Sequence, residues 1–133
     1  MRTIEKKIIK AIETNKACKL SSRDQIKKGS LRVLYCLHGI PLFAESPYPF
    51  SEKRAINLSS KGACDSLISA TTKSRLNAFL EFYNMPKIRQ KNFELFFDGE
   101  KLKVGNWYWL DCTNKKLIKM NSFDEFYDTV WNE

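Results

Sequence analysis

The chain has five glycines in 133 residues, and Gly29, Gly39, Gly62, Gly99 and Gly105 stand far apart. A P-loop and a dinucleotide-binding fingerprint both need clustered glycines, so neither is present. Histidine is scarcer still, with His38 the only one. A nucleophile–base pair would have to be built on it, and beside Gly39 it reads instead as a turn residue. The four cysteines, Cys18, Cys36, Cys64 and Cys112, contain no C-x-x-C pair. Closely spaced ligand pairs mark structural zinc sites, so no metal and no cofactor are expected. The thiols read as small reduced hydrophobes. Carboxylates are plentiful, yet no D-x-D or E-x-x-E pair occurs. The protein is therefore expected not to be an enzyme. No apolar run approaches the roughly 20 residues of a membrane span. The opening MRTIEKKIIKAIE lacks the uninterrupted apolar core of a signal peptide. A cytoplasmic protein with no membrane partner is expected.

What the chain does have is positive charge, unevenly placed. The formal net charge is +8. Residues 1–32 carry ten Lys and Arg against three acids, whereas residues 33–133 carry thirteen against twelve. The chain closes on Asp124, Glu125, Asp128 and Glu133 with no base among its last ten residues. A basic N-terminal quarter of this kind draws polyanions. A hydrophobic content of 43% over this length fits one folded domain with one core.

The clearest element is a helix over residues 71–83. Leu76, Phe79, Leu80 and Tyr83 fall at i, i+3, i+4 and i+7, with Lys73, Asn77 and Glu81 on the other side. Thr71 or Thr72 is expected to cap it. Asn84-Met85-Pro86 ends it, because the residue before a proline is pushed out of the α region. Residues 2–14 read as a second amphipathic helix, with Ile4, Ile8, Ala11 and Ile12 inward and Ile9 at the margin. Residues 15–29 read as a polar loop. Residues 31–37 alternate as a strand that His38-Gly39 turns back into residues 42–45, with Pro41 limiting the ladder. Residues 46–53 read as a loop, 54–58 as a short strand, and 59–70 as a loop leading into the main helix. KIRQK at 87–91 reads as a basic connector. Residues 93–97 and 101–104 form a hairpin across Asp98-Gly99, a dipeptide that tolerates positive φ at both turn positions. Residues 106–111, NWYWLD, form another strand, with Trp107 and Trp109 on one face and Tyr108 and Leu110 on the other. Leu117-Ile118 extends the sheet briefly. Ser122-Phe123-Asp124-Glu125 reads as the capping box of an acidic last helix.

The expected fold class is α+β: a small, largely antiparallel sheet of hairpins packed on a central helix, with an added N-terminal and C-terminal helix. A single domain over 1–133 divides into a basic N-terminal helix and loop (1–26), an α+β core (27–111), and a turn with the acidic helix (112–133).

Three stretches carry a likeness to known proteins: the turn at Leu37-His38-Gly39; the run Ala70-Thr71-Thr72-Lys73-Ser74-Arg75-Leu76-Asn77-Ala78; and Ile88-Arg89-Gln90-Lys91 with the strands over 93–109. On these, residues 27–111 resemble a family of small domains encoded mainly by bacteriophages. The chain departs from that pattern at Ala63 and at Ile40-Pro41. The resemblance implies a phage or prophage origin, hence the cytoplasm of a bacterial host, and carries no activity with it. Joined to the charge pattern, it leads to a non-enzymatic accessory protein that binds nucleic acid or a host nucleoprotein complex through basic residues. The alternative is a protein-binding inhibitor of a host defence system, anti-CRISPR-like or another anti-defence factor, in direct contact with a host effector protein. The candidate binding residues are Lys6, Lys7 and Lys10 on the first helix, and Lys73, Arg75, Lys87, Arg89 and Lys91 in and after the main helix. The strand aromatics Phe93, Phe96, Trp107, Tyr108 and Trp109 read first as core and otherwise as a base-stacking platform, and of these Trp107 and Trp109 join the candidates as an aromatic patch for nucleic acid or protein. Cations neutralise phosphates, and exposed aromatic rings stack bases.

Overall fold

A computed structural model describes residues 1–14, 16–29, 33–46, 53–58 and 68–122. The first helix, α1 (Thr3–Glu13), buries Ile8, Ile9, Ala11 and Ile12 and leaves Lys6, Lys7 and Lys10 in water. After it come β1 (Cys18–Lys19), β2 (Asp24–Lys28), β3 (Val33–Leu37), β4 (Ile40–Glu45) and β5 (Arg54–Asn57). The second helix, α2 (Ala70–Phe82), is followed by β6 (Ile88–Lys91), β7 (Glu94–Phe97), β8 (Glu100–Leu102), β9 (Trp107–Asp111) and β10 (Lys116–Lys119). The class is α+β. Seven strands form one antiparallel sheet in the order β1-β2-β3-β4-β5-β9-β10, and β6-β7-β8 form a second, three-stranded one. The small sheet and α2 are thus inserted in sequence between two neighbouring strands of the large one.

Turn chemistry makes the hairpins. His38 and Gly39 take φ of 52° and 77°, and Asp98 and Gly99 take 49° and 83°. Two consecutive positive φ values are the mark of the turn whose twist matches its flanking strands. Pro41 does enter β4, opposite Cys36, where the register slips after Tyr35. A bulge is one of the few places a ladder accepts proline.

The structure departs from the expected elements at several points; Phe93, expected to open a strand, is a turn residue, and β4 starts at Ile40 rather than Leu42. Residues 15–29 are not all loop, since they contain β1 and β2. KIRQK is largely strand β6. Helix α2 is capped by Ser69, whose Oγ accepts from the Thr72 amide at 3.0 Å, so Thr71 and Thr72 already lie inside the helix. The expected last helix falls on residues 123–133, outside the described residues, as do most of the expected loops at 46–53 and 59–70.

One face of the large sheet packs on α1 and α2. Ile26, Tyr35, Phe43, Ile56 and Tyr108 from the strands meet Ile8, Ile12, Leu76, Phe79 and Leu80 from the helices. Phe43 and Phe79 stack with ring centroids 4.1 Å apart and planes 3° from parallel. The small sheet adds Ile88, Leu95, Phe97 and Leu102 to the same core. Each such side chain contributes about 1.5–3 kcal/mol on burial. The opposite face of the large sheet carries Leu34, Cys36, Ala44, Ala55 and Met120, so β3 is buried on both sides.

Candidate functional site

Helix α2 has two polar sides with opposite characters. On the inner side, Arg75 is 1% exposed. Its Nε donates to Asp24 Oδ1 of β2 at 3.0 Å and lies 3.2 Å from the Tyr35 hydroxyl of β3; its Nη1 donates to Glu5 Oε2 of α1 at 3.1 Å. Tyr35 donates its own proton to Asp24, and Ser21 donates to Asp24 Oδ2 at 2.7 Å. Ser74 donates to Glu5 Oε2 at 2.5 Å. Burial pushes both carboxyls up. The hydrogen bonds they accept, from Ser74, the Arg2 amide and Arg75 at Glu5, and from Arg75, Tyr35 and Ser21 at Asp24, outweigh it and hold both below the usual carboxylate range. Burial and the Asp24 carboxylate push the Tyr35 phenol far up. Arg75 is therefore a structural cation joining four elements, and it does not belong to a solvent-facing binding set. A guanidinium with all three nitrogens bonded to protein and almost no water access is not presented to a phosphate.

On the outer side, α2 faces the edge strand β6. The Asn77 side chain pairs with the Ile88 main chain in both directions: Oδ1 accepts from the Ile88 amide at 2.7 Å and Nδ2 donates to its carbonyl at 3.2 Å. An amide side chain here does what a neighbouring strand would do. The clamp holds β6 at a fixed distance from α2. Between them runs an open groove of about 420 Å³ lined by Lys73, Asn77, Lys87, Ile88, Arg89 and Gln90. Asn77 and Lys87 also line a second open groove, about 390 Å³, that continues towards Arg2 at the start of α1. Its acids are already engaged: Glu5 by Arg75, and Glu81 by the N-terminal amine at 3.9 Å. Lys73, Lys87 and Arg89 form no ion pair among the described residues, so three cations converge on one groove.

Arg89 also begins a row across the small sheet. Register pairs it with Phe96, and Phe96 with Lys101. Leu95 and Phe97 point into the core, so alternation sends Phe96 to the outer face, where it is only partly buried. Lys91 pairs with Glu94 on the same face, and Glu94 forms an ion pair with Lys101 at 2.8 Å. The β6–β7 turn is Asn92-Phe93, with φ of 52° and 62°, and Phe93 is 73% exposed.

The remaining candidates lie elsewhere. Lys6, Lys7 and Lys10 are exposed on α1. Trp107 and Trp109 are half-buried against Leu34, Ala44 and Ala55 on the face of the large sheet away from α2. Tyr108 faces the helices, and its hydroxyl accepts from the Lys103 amide at 2.9 Å. Among the described residues no His, Cys, Asp and Glu cluster is able to hold a metal, and no helix is long and apolar enough to cross a membrane.

Asn77 was not a sequence candidate, because a single asparagine on a polar helix face carries no signal of its partner. Phe96 was readable in principle. In FELFF the two residues beside it are the inward pair once the Asp98-Gly99 turn sets the register.

Comparison with protein families finds a match over residues 1–118 to the family described as Kyanoviridae Gp96 protein, a family of phage proteins. The match takes in α1 as well as the central region. No curated protein matches the chain, and no solved structure does.

Proposed function

Because the chain belongs to the Kyanoviridae Gp96 family of phage proteins, we propose that it is a non-catalytic phage accessory protein that binds nucleic acid, free or within a host nucleoprotein complex. The observation that supports this reading is the groove between α2 and β6, where Lys73, Lys87 and Arg89 converge with no acid among the described residues that line it. Three cations on a wall held by the Asn77 clamp meet a phosphate chain with little ordering left to do. Arg2 extends the positive surface towards α1, and Lys91 extends it along β6.

The test is equilibrium binding to labelled oligonucleotides across a salt series. Engaging three phosphates with Lys73, Lys87 and Arg89 gives an affinity that falls with log salt at a slope of about 2 for a single strand. Changing all three to Glu is expected to abolish binding while leaving the circular dichroism spectrum unchanged. If the native protein binds no oligonucleotide at physiological salt, the reading fails, and the partner to seek is a host effector protein.

A further inference from the structure

The groove cations do not distinguish a duplex from a single strand; the surface next to them does. Resting on the nucleic-acid reading above, we infer that the preferred ligand is single-stranded, with one base stacked on Phe96 and a neighbouring base against Phe93. Phe96 is a half-buried aromatic ring on a sheet face whose other side chains are Arg89, Lys91, Glu94 and Lys101. A wet sheet face alternates to polar residues, and every neighbour here obeys that rule. The exception sits between Arg89 on one strand and Lys101 on the next, the latter in an exposed ion pair with Glu94 that a phosphate is able to displace. That is the composition of a surface that stacks a base and neutralises the phosphates on either side of it. A duplex buries its base faces in its own stack and offers such a ring nothing. Arg89 belongs both to this row and to the groove of Lys73 and Lys87, so the two surfaces are continuous.

Phe93 is an independent observation. It occupies the second turn position at φ 62°, where the turn type favours glycine and a bulky residue is strained. The equivalent position of the next hairpin is Gly99, at φ 83°. Burial gives Phe93 no compensation, since it is 73% exposed. A large aromatic kept at a strained and solvent-facing tip contributes nothing to folding that glycine would not do better. Phe93 and Phe96 stand on the small sheet next to the groove cations, whereas Trp107 and Trp109 lie on the face of the large sheet away from α2, so the stacking is assigned to the two phenylalanines.

The experiment is fluorescence anisotropy at physiological salt with labelled 15-mers of dT, of U, and a blunt duplex, using the native chain, Phe96→Leu and Phe93→Gly. Leucine keeps an apolar side chain at 96 and removes the ring face. Single strands are expected to bind about tenfold tighter than the duplex, and each variant to lose about tenfold on single strands with little change on the duplex. Phe93→Gly is expected to melt at or above the native temperature, so its loss of binding is not a loss of fold. Equal affinity for duplex and single strand, or native binding by Phe96→Leu, overturns the stacking inference; if the Lys73, Lys87 and Arg89 charge reversal still abolishes binding, the nucleic-acid reading stands without it. If no oligonucleotide binds the native chain, both fall together.

Discussion

The inner and outer sides of α2 handle positive charge in opposite ways. Arg75, on the inner side, is taken out of water and surrounded by Glu5, Asp24 and Tyr35. Lys73, two residues away and so on the opposite, outer side, stays beside an open groove with Lys87 and Arg89. The sequence places all four among candidate binding cations, yet only three are able to meet a ligand. The difference lies in what leaving water costs. A buried guanidinium is tolerable only with its partners in place, so it serves the fold, while a cation that stays hydrated adds little to stability and remains available.

The sharpest way to break this comparison is Arg75→Met. It leaves Glu5 and Asp24 buried without their cation, and a loss of about 3–5 kcal/mol is expected in urea denaturation. Arg89→Met should move stability by no more than about 0.5 kcal/mol, while weakening oligonucleotide binding. Equal stability losses in the two variants would erase the distinction between the two sides.

The next largest effect is on acid stability. Glu5 and Asp24 have folded-state pKa values below their unfolded ones. Their contribution is therefore fully present above the ordinary carboxylate range and is lost as pH falls through that range towards the depressed values. Urea midpoints followed from pH 7 to pH 3 should drop. In Asp24→Asn the drop should start from a lower plateau and be shallower. An unchanged acid limb in that variant would mean that Asp24 does not titrate in this range.

Asn77→Leu comes third. It removes both hydrogen bonds to Ile88, at a cost of about 1–3 kcal/mol if the Ile88 groups stay dry. It should also loosen β6 and so weaken binding without touching a cation, which is measurable as faster amide exchange at Ile88 alongside a reduced affinity. Loss of the Ser69 cap in Ser69→Ala should cost about 1 kcal/mol, with no effect on binding.

What was legible in the sequence follows from where each residue's partners lie. The apolar stripes of α1 and α2 and the dipeptides His38-Gly39 and Asp98-Gly99 are local signals, and they predict the elements found there. Strand β2 was hidden because an inward position is filled by Asp24, which is buried by a partner on α2. A charge at a core position defeats any apolar pattern. KIRQK looked like a connector because Ile88 alone of its residues is buried. Arg75 was misplaced although its position was readable. Thr72, Arg75, Leu76 and Phe79 fall at i, i+3, i+4 and i+7, and all four are buried. The helical period marked it as inward; its charge argued for water, and the period was the better guide.

The smallest expected effect separates a general field from a site. Lys6, Lys7 and Lys10 are exposed on α1 and line neither of the two grooves beside α2. If they act only through the field, they raise the local concentration of a polyanion without touching it, and salt screens that action beyond a Debye length of about 8 Å at physiological ionic strength. Changing the three to Glu should weaken binding several-fold in low salt, through a slower association rate, and leave the melting temperature unchanged. At physiological salt the effect should shrink to within about twofold. Arg89→Met should still weaken binding there, because a direct contact inside a groove is screened far less. A large effect of the α1 lysines that survives physiological salt would mean they touch the ligand directly. The binding surface would then run from the small sheet across the second groove to Arg2 and onto α1, and a longer strand would be needed to fill it.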